Sequence, residues 1–139
     1  MQIGHTLFHA VHQLSRQLTK HVNETLEPFG LFSAQWSVLF VLKTKGTLTQ
    51  TELCDYLTVE APPMTRNIQK LVKLGYVRQV QGTDKRTKHI ELTEKALAEY
   101  PDWELAMVEM NQRLVENFPK EMQDQLNGLL NHWFHQITK

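Results

Sequence analysis

Positively charged side chains are concentrated in one part of this sequence of 139 residues. Residues 62–90 carry seven lysines and arginines against a single acid, a net charge of +6, whereas the remainder carries −6. The seven cations are Arg66, Lys70, Lys73, Arg78, Lys85, Arg86 and Lys88. A basic segment on an acidic body is typical of a surface that attracts a polyanion such as nucleic acid.

The stretch EAPPMTRNIQ, residues 60–69, places two prolines in front of a helical pattern. The first four N–H groups of a helix have no internal acceptor, so proline is tolerated in the first turn. The pair therefore predicts a rigid, sharply defined helix start at Pro62 or Pro63. At about 100° of turn per residue, the apolar side chains share one face and the cations lie roughly opposite. The predicted packing face consists of Met64, Ile68, Leu71 and Val72.

The cationic face of this helix supplies candidate DNA contacts. A guanidinium pairs well with guanine and a side-chain amide with adenine, so we expect Arg66 and Gln69 to contact base edges. Lys70 and Lys73 are expected to meet phosphates, which raise affinity without selecting a sequence. The full candidate set on this helix is Pro62, Pro63, Thr65, Arg66, Gln69, Lys70 and Lys73. Two alternatives stay open: the prolines only terminate the preceding turn, or the cations form an ordinary solvated face.

After this helix the period of the apolar residues changes from helical to extended. The stretch YVRQVQGTDKRTKHIEL, residues 76–92, has two β-rich arms around a polar centre, which predicts a hairpin. Asp84 stands two residues before Arg86, where its carboxylate can hold the guanidinium extended for insertion into a minor groove. Flanking side chains would line the neighbouring phosphates. The candidate DNA contacts of this predicted wing are Arg78, Asp84, Lys85, Arg86, Lys88 and His89.

Helical periodicity accounts for most of the remaining chain. Apolar residues recur at spacings of three and four over residues 3–26, which predicts one long amphipathic helix. Ser33 is the predicted N-cap of a second helix that is apolar nearly all round, and TQTE at residues 49–52 predicts a capping box for a third. Two more amphipathic helices follow the hairpin. Thr93 is expected to cap the first of them, and a break at Pro119 separates the two.

The predicted order is one long helix, three short helices, a hairpin and two long helices. Three short helices followed by a hairpin form a winged helix-turn-helix, in which the third helix lies in the major groove of DNA. We therefore expect a mainly α fold with a small β-hairpin wing, as a single chain over residues 1–139. The winged helix-turn-helix lobe is predicted at residues 33–93, and long N- and C-terminal dimerisation helices at residues 1–30 and 94–139.

Several motifs in order make the chain resemble the MarR family of bacterial winged-helix transcription regulators. The resemblance covers nearly the whole chain and rests on GLFSAQWSVLFVL, TQTELCDYL, MTRNIQKLVKLGYV, the Asp-Lys-Arg tip of the predicted wing and HIELTEKA. It implies an obligate homodimer with interleaved first and last helices, which binds a near-palindromic operator and usually represses transcription. It also implies response to an effector, typically a small aromatic or phenolic compound, an oxidant or a metal ion. Pro62 and Pro63 stand where family members commonly have polar residues, and Ala96 replaces a frequent glycine.

Two other functions remain open at this point. His5, His9 and His12 lie at i, i+4 and i+7 on one predicted helix face, a spacing that suits a shared transition metal and hence a metal-responsive regulator of the same fold. No cysteine or clear carboxylate ligand accompanies them, so solvated histidines and no cofactor are the favoured interpretation. A winged-helix module that binds protein in place of DNA is the second alternative, although its wing would not need so many cations.

The remaining patterns bear on class and location. The chain lacks a phosphate-cradling glycine loop, an HExxH motif and a nucleophile elbow, so no enzymatic activity is expected. No stretch approaches the roughly 18 apolar residues of a membrane span, and the N-terminus does not read as a signal peptide. The single cysteine, Cys54, excludes an intramolecular disulfide. A cytoplasmic protein is therefore expected.

Overall fold

The computed structural model describes residues 4–82 and 87–138, which form seven helical segments and three short strands. In chain order they are α1 (His5–Leu26), a 3-10 turn (Glu27–Phe29), α2 (Ser33–Lys45), β1 (Leu48–Thr49), α3 (Gln50–Leu57), α4 (Ala61–Leu74), β2 (Val77–Gln81), β3 (Lys88–Leu92), α5 (Glu94–Leu114) and α6 (Lys120–Ile137). The chain divides into two compact units, Met1–Met107 and Val108–Lys139. The predicted mainly α fold with a small β wing is confirmed.

The sheet has three antiparallel strands in the order β1-β3-β2. The predicted hairpin is confirmed: Val77 of β2 lies opposite Leu92 of β3, and Gln81 lies opposite Lys88. The short strand β1 pairs its Leu48 with Ile90 on the other edge of β3. Sequence reasoning missed β1, because two residues are too few to show an alternating pattern.

The core of the first unit is formed by apolar residues from α1 to α4, the sheet and the start of α5. Helix α2, predicted to be central because it is apolar nearly all round, is buried over an arc of about 160°, whereas Phe40 outside that arc is 46% exposed. The largest fully buried side chains of this unit are Leu26, Leu31, Val38, Leu39, Val41, Leu53, Met64, Ile68, Leu71, Val77, Ile90 and Trp103. Burial of each such side chain contributes about 1.5–3 kcal/mol. This core fixes the positions of α3, α4 and the sheet.

The start of α2 differs from the prediction. Ser33 is the first helical residue and the N-cap is Phe32, so the assignment of Ser33 as N-cap is wrong. Side-chain oxygens accept hydrogen bonds from the backbone N–H groups at this helix start. The backbone N–H of Ser33 donates to Oδ1 of Asn23 at 2.7 Å, and the backbone N–H of Phe32 donates to Oε1 of Gln35 at 2.8 Å. A serine cap is not needed because Asn23, from α1, and Gln35 supply the acceptors.

The predicted capping box of α3 is confirmed. The Glu52 N–H donates to Oγ1 of Thr49 at 3.1 Å, and the Thr49 N–H donates to Oε1 of Glu52 at 2.9 Å. The hydrogen bond from the Thr49 backbone, with a smaller contribution from its side chain, lowers the pKa of the Glu52 carboxyl. Such a box supplies acceptors for two N–H groups that have none within the helix. The box defines where α3 begins, directly after β1.

The second unit contains the end of α5 and the whole of α6. Helix α5 runs without interruption through Pro101 to Leu114, and the predicted break at Phe118-Pro119 separates it from α6. No residue of α6 is buried. No single helix in the described part of the chain is long and apolar enough to cross a membrane. The segments His5–Phe29 and Ser33–Lys45, bent by 82° relative to each other, reach that length and apolar character only when they are taken together.

Candidate nucleic-acid interface

Helix α4 begins with the proline pair and packs through one face. Its N-cap is Glu60 and its first residue is Ala61, one position before Pro62 and two before Pro63, where the start was predicted; both prolines lie in the first turn. Of the predicted packing face, Met64, Ile68 and Leu71 are buried. Val72 is 43% exposed, so its placement on that face is wrong. It lies about 80° around the helix from Met64, at the edge of the apolar stripe, where packing does not reach it.

The opposite face of α4 is open to solvent. Arg66, Gln69, Lys70 and Lys73 are exposed, and at the helix start Pro62 is exposed while Pro63 is half-buried. The predicted base-contact and phosphate-contact residues therefore share one accessible helix surface. Such a surface can present two kinds of chemistry at once, hydrogen bonding to base edges and charge pairing with phosphates.

Thr65 has a different environment from its neighbours on α4. It is half-buried, and its hydroxyl donates to the Ala61 carbonyl at 2.9 Å while accepting from Nε2 of Gln50 at 2.7 Å. Gln50 is the first residue of α3, so this hydrogen bond joins the two helices of the helix-turn-helix. The structure thus gives Thr65 a part in positioning α4 that the sequence did not reveal.

A second polar contact holds the middle of α4 against α2. Nε2 of Gln35 donates to Oδ1 of Asn67 at 3.2 Å. Gln35 is only 7% exposed and is the buried polar residue among those described. Its other end accepts the Phe32 N–H, so both ends of its amide are used. Sequence reasoning missed this contact, although a lone amide in an otherwise apolar helix was a usable signal.

Three consecutive carbonyls at the end of α4 accept hydrogen bonds from two residues at the start of α5. The carbonyl of Leu74 accepts from Nζ of Lys95 at 2.8 Å, and that of Gly75 accepts from Oγ1 of Thr93 at 2.6 Å. The carbonyl of Tyr76 accepts from the Thr93 N–H at 3.0 Å. We call Thr93 and Lys95 the α4 C-terminal cap. Oγ1 of Thr93 also accepts from the Ala96 N–H at 3.2 Å, which confirms Thr93 as the predicted cap of α5.

The side chain of Tyr76 fills the space beside this cap. Its ring lies edge-on to Trp103 with centroids 4.8 Å apart, and Nζ of Lys95 is 4.9 Å from its centre. Its hydroxyl donates to Oε1 of Glu99 at 3.0 Å. Burial, followed by the hydrogen bond and charge of Glu99, raises the pKa of the Tyr76 phenol. The phenol therefore stays neutral at ordinary pH and keeps this hydrogen bond to α5.

The described part of the wing presents two cations and one half-buried imidazole. Arg78 is exposed, but its Nε bonds to Oε1 of Glu91 on the adjacent strand at 2.6 Å. Lys88 is exposed, whereas His89 is half-buried. Within the described residues, Nδ1 of His89 is buried without a hydrogen-bond partner, and its ring packs against Gly82. The proposed contacts at Asp84, Lys85 and Arg86 lie outside the described residues.

The candidate metal ligands remain separate on a solvated helix. His5, His9 and His12 are all exposed on α1. Over residues 4–82 and 87–138, no group of three or more His, Cys, Asp or Glu side chains is arranged to hold a metal ion. Cys54 is half-buried, and burial, with the charge of Asp55, raises the pKa of its thiol.

Helix α4 is the second helix of a helix-turn-helix: it packs through its apolar face, exposes its basic face, and is followed by a hairpin in a three-stranded sheet. These features define a winged-helix DNA-binding protein. Comparison with known proteins agrees. A family model described as a winged helix DNA-binding domain matches residues 31–96. The chain is 40% identical over 134 residues to the HTH-type transcriptional regulator YwoH of Bacillus subtilis (strain 168), covering 96% of this chain and 98% of that protein.

Solved structures show the same similarity over the whole chain. A MarR transcriptional regulator from Methanosarcina mazei Go1 superposes with a TM-score of 0.85 at 27% identity, covering 98% of this chain and 91% of that one. A mutant MarR from E. coli, crystallised with operator DNA, gives a TM-score of 0.86 at 24% identity, covering 95% and 98%. The chain belongs to the MarR family of winged-helix regulators, and it is a DNA-binding transcriptional regulator of that type.

Proposed function

We propose that this protein is a homodimeric, ligand-responsive repressor that binds a near-palindromic duplex operator through paired α4 helices and wings. The observation that carries the proposal is the division of α4 into a buried apolar face and an exposed face bearing Arg66, Gln69, Lys70 and Lys73. In winged helix-turn-helix proteins the corresponding helix enters the major groove. The E. coli relative of the same fold was crystallised with operator DNA, which supports the same partner here.

In this proposal the exposed residues of α4 divide the work of recognition. Arg66 and Gln69 contact base edges, because their planar donor and acceptor groups match guanine and adenine. Lys70 and Lys73 neutralise phosphates, as do Arg78 and Lys88 of the wing. The charge of Arg78 is partly neutralised by its ion pair with Glu91, so we expect Arg78 to contribute less to DNA binding than Lys88 does.

Dimerisation is supported by apolar surface that each unit leaves uncovered. In α1 the exposed apolar residues are Leu7, Phe8, Leu14 and Leu18. In α6 they are Met122, Leu129, Leu130, Phe134 and Ile137. Stripes of this length mark interaction sites, and the family resemblance implies that a second copy of the chain covers them. A two-fold dimer would present two α4 helices to half-sites about one helical turn apart.

Ligand response rests on a partly exposed aromatic cluster in the first unit, in which Tyr100 is buried and Trp36 half-buried. The ring of Trp36 stacks on that of Tyr100 with centroids 5.5 Å apart, and Nζ of Lys43 lies 5.5 Å from the centre of Tyr100. Phe40, 6.0 Å from Trp36, is 46% exposed. Aromatic faces beside a cation suit a small aromatic anion. A thermal-shift screen of aromatic acids and phenols, followed by DNA binding with each hit, tests this; hits that leave DNA affinity unchanged count against it.

DNA binding itself is tested by its dependence on salt and on sequence. A duplex is selected from a random pool by the purified protein, and a shuffled duplex of equal length and composition serves as its control. Affinity for both should fall steeply with KCl, because each phosphate contact releases counterions with a slope of about −0.9 in log affinity against log salt. The selected duplex should bind more tightly at every salt concentration. Salt-independent binding, or no selectable duplex, would favour the protein-binding alternative.

A further inference from the structure

The end of helix α4 is held by a cation that the proposed DNA-binding surface does not include. Lys95 follows the wing in sequence, and its ammonium donates to the last carbonyl of the helix, that of Leu74. Gly75 ends α4 in the left-handed region at φ 84°, and a Cβ there would contact the Lys95 side chain at 3.5 Å. The lysine stem therefore lies directly over the helix terminus. A positive charge at this end also interacts favourably with the helix dipole.

The same lysine links α4 to the helix that leads out of the first unit. Lys95 lies in the first turn of α5, and Thr93 bonds to the next two carbonyls beyond Leu74. Tyr76 also contacts α5 in two ways. The Lys95 ammonium lies over the Tyr76 ring, and the Tyr76 hydroxyl donates a hydrogen bond to Glu99, one turn further along α5. The end of α4 is thus joined to the start of α5 by three hydrogen bonds to backbone carbonyls, one cation–π contact and the hydrogen bond of the Tyr76 hydroxyl.

We propose that Lys95 is a positioning residue for sequence recognition, which sets the orientation of α4 through the α4 C-terminal cap and does not itself contact DNA. This inference rests on the proposed function, in which α4 enters the major groove. Base-edge hydrogen bonds require donor and acceptor positions accurate to a fraction of an ångström, whereas phosphate contacts by long lysines tolerate small movements. Loosening the cap therefore reduces specific binding and spares non-specific binding.

The variant Lys95→Met tests this role, because methionine keeps an unbranched apolar stem and removes the ammonium. Affinity for the selected duplex should fall by about tenfold, the loss expected if the free protein holds α4 in its binding orientation only about a tenth of the time. Affinity for the shuffled duplex should stay within about twofold, and the salt slope of both should equal that of the wild type. Lys95→Arg, whose guanidinium can donate to the same carbonyl, should restore most of the specific affinity.

Lys88→Met is the matched control, since Lys88 is an exposed cation of the wing and a proposed phosphate contact. This variant should weaken binding to both duplexes alike and make the slope of log affinity against log salt shallower by about 0.9. If Lys95→Met behaves in this way, Lys95 is a phosphate contact and the positioning role is overturned. An unchanged ratio of specific to non-specific affinity in Lys95→Met overturns it as well.

Hydrogen exchange on the free protein provides a readout that does not depend on DNA. In Lys95→Met the amides of Gly75 and Tyr76, which donate to carbonyls of the last turn of α4, should exchange faster than in wild type, while those of α2 should not change. Unchanged exchange at both amides would contradict the cap. Should the wild type select no duplex, the proposed function fails, yet this measurement still decides whether Lys95 holds α4.

Discussion

At the scale of single residues, exposure separates the groups on α4 that are free to bind from those that hold the helix. Arg66 and Lys70 are exposed, and neither has its charge paired within the described residues. The hydroxyl of Thr65 and the amide of Asn67 instead bond to α3 and α2. Neighbouring polar residues of one helix thus have opposite tasks, and substitutions among them should produce different kinds of loss.

Replacement of Arg66 by alanine should relax sequence preference. The affinity for the selected duplex is expected to fall by about 1–3 kcal/mol, because a bidentate contact to a base edge is lost. Competition binding with duplexes mutated at each position would show one position at which the variant no longer discriminates. A uniform loss over all positions would assign Arg66 to the phosphates.

Lys70→Ala should weaken binding to every duplex to a similar extent. The lysine is proposed to neutralise one phosphate, so the slope of log affinity against log salt should become shallower by about 0.9. Anisotropy titrations of the selected and shuffled duplexes at several KCl concentrations measure both quantities. Loss confined to the selected duplex would show that Lys70 contacts a base.

At the scale of elements, the wing is shaped by the close packing of a histidine on a glycine. A Cβ added at Gly82 would lie 2.5 Å from Cε1 and 2.8 Å from Nδ1 of His89, closer than such atoms approach. His89 lies on the central strand β3, opposite Thr49 on one side and Val80 on the other. Its half-buried ring therefore has a structural role in the part of the wing farthest from the Val77–Leu92 pair, in addition to the phosphate contact proposed for it.

Gly82→Ala should destabilise the fold by about 1–3 kcal/mol, the usual cost of overpacking. The cost should nearly vanish when His89 is also replaced by alanine, because the clashing ring is then absent. Urea unfolding of the two single variants and the double variant measures this coupling. Additive losses would mean that the ring moves aside freely and does not define the wing.

At the scale of the whole molecule, the exposed apolar stripes of α1 and α6 bear on whether the protein associates. Leu129 and Ile137 on α6 are 68% and 69% exposed, and Leu7 on α1 is 54% exposed. Side chains of this size gain roughly 1.5–3 kcal/mol each when they are fully buried. In the proposed homodimer this surface is covered, and folding and association become linked, so that apparent stability depends on protein concentration.

Leu129→Glu should shift the protein toward monomer, because it places a charge in the proposed interface. Sedimentation analysis over a range of concentrations measures the shift. His135→Glu is the matched control: it places a carboxylate at an exposed position of α6, about 120° around the helix from Leu129 and about 100° from Phe134, outside the stripe. Equal behaviour of the two variants, or a monomeric wild type in dilute solution, would contradict the dimer.

The sequence by itself determined the elements and their order, because these depend on neighbours in the chain. Apolar spacing defined α1 and α4, the capping box of Thr49 and Glu52 defined the start of α3, and the proline pair located the start of α4 to within two residues. The charge pattern likewise located the exposed face of α4. All of these signals are local, so periodicity and capping chemistry contain them.

Only the tertiary structure decided which distant groups meet. The bonds of Gln35 to Asn67 and of Lys95 to Leu74 join residues 32 and 21 positions apart, and β1 is recognisable as a strand only because β3 lies beside it. Such pairings depend on how helices pack, and packing determines positions to a precision that a pattern of residue types does not encode. The residues that would bind DNA could therefore be proposed from the sequence, whereas those that hold them in place could not.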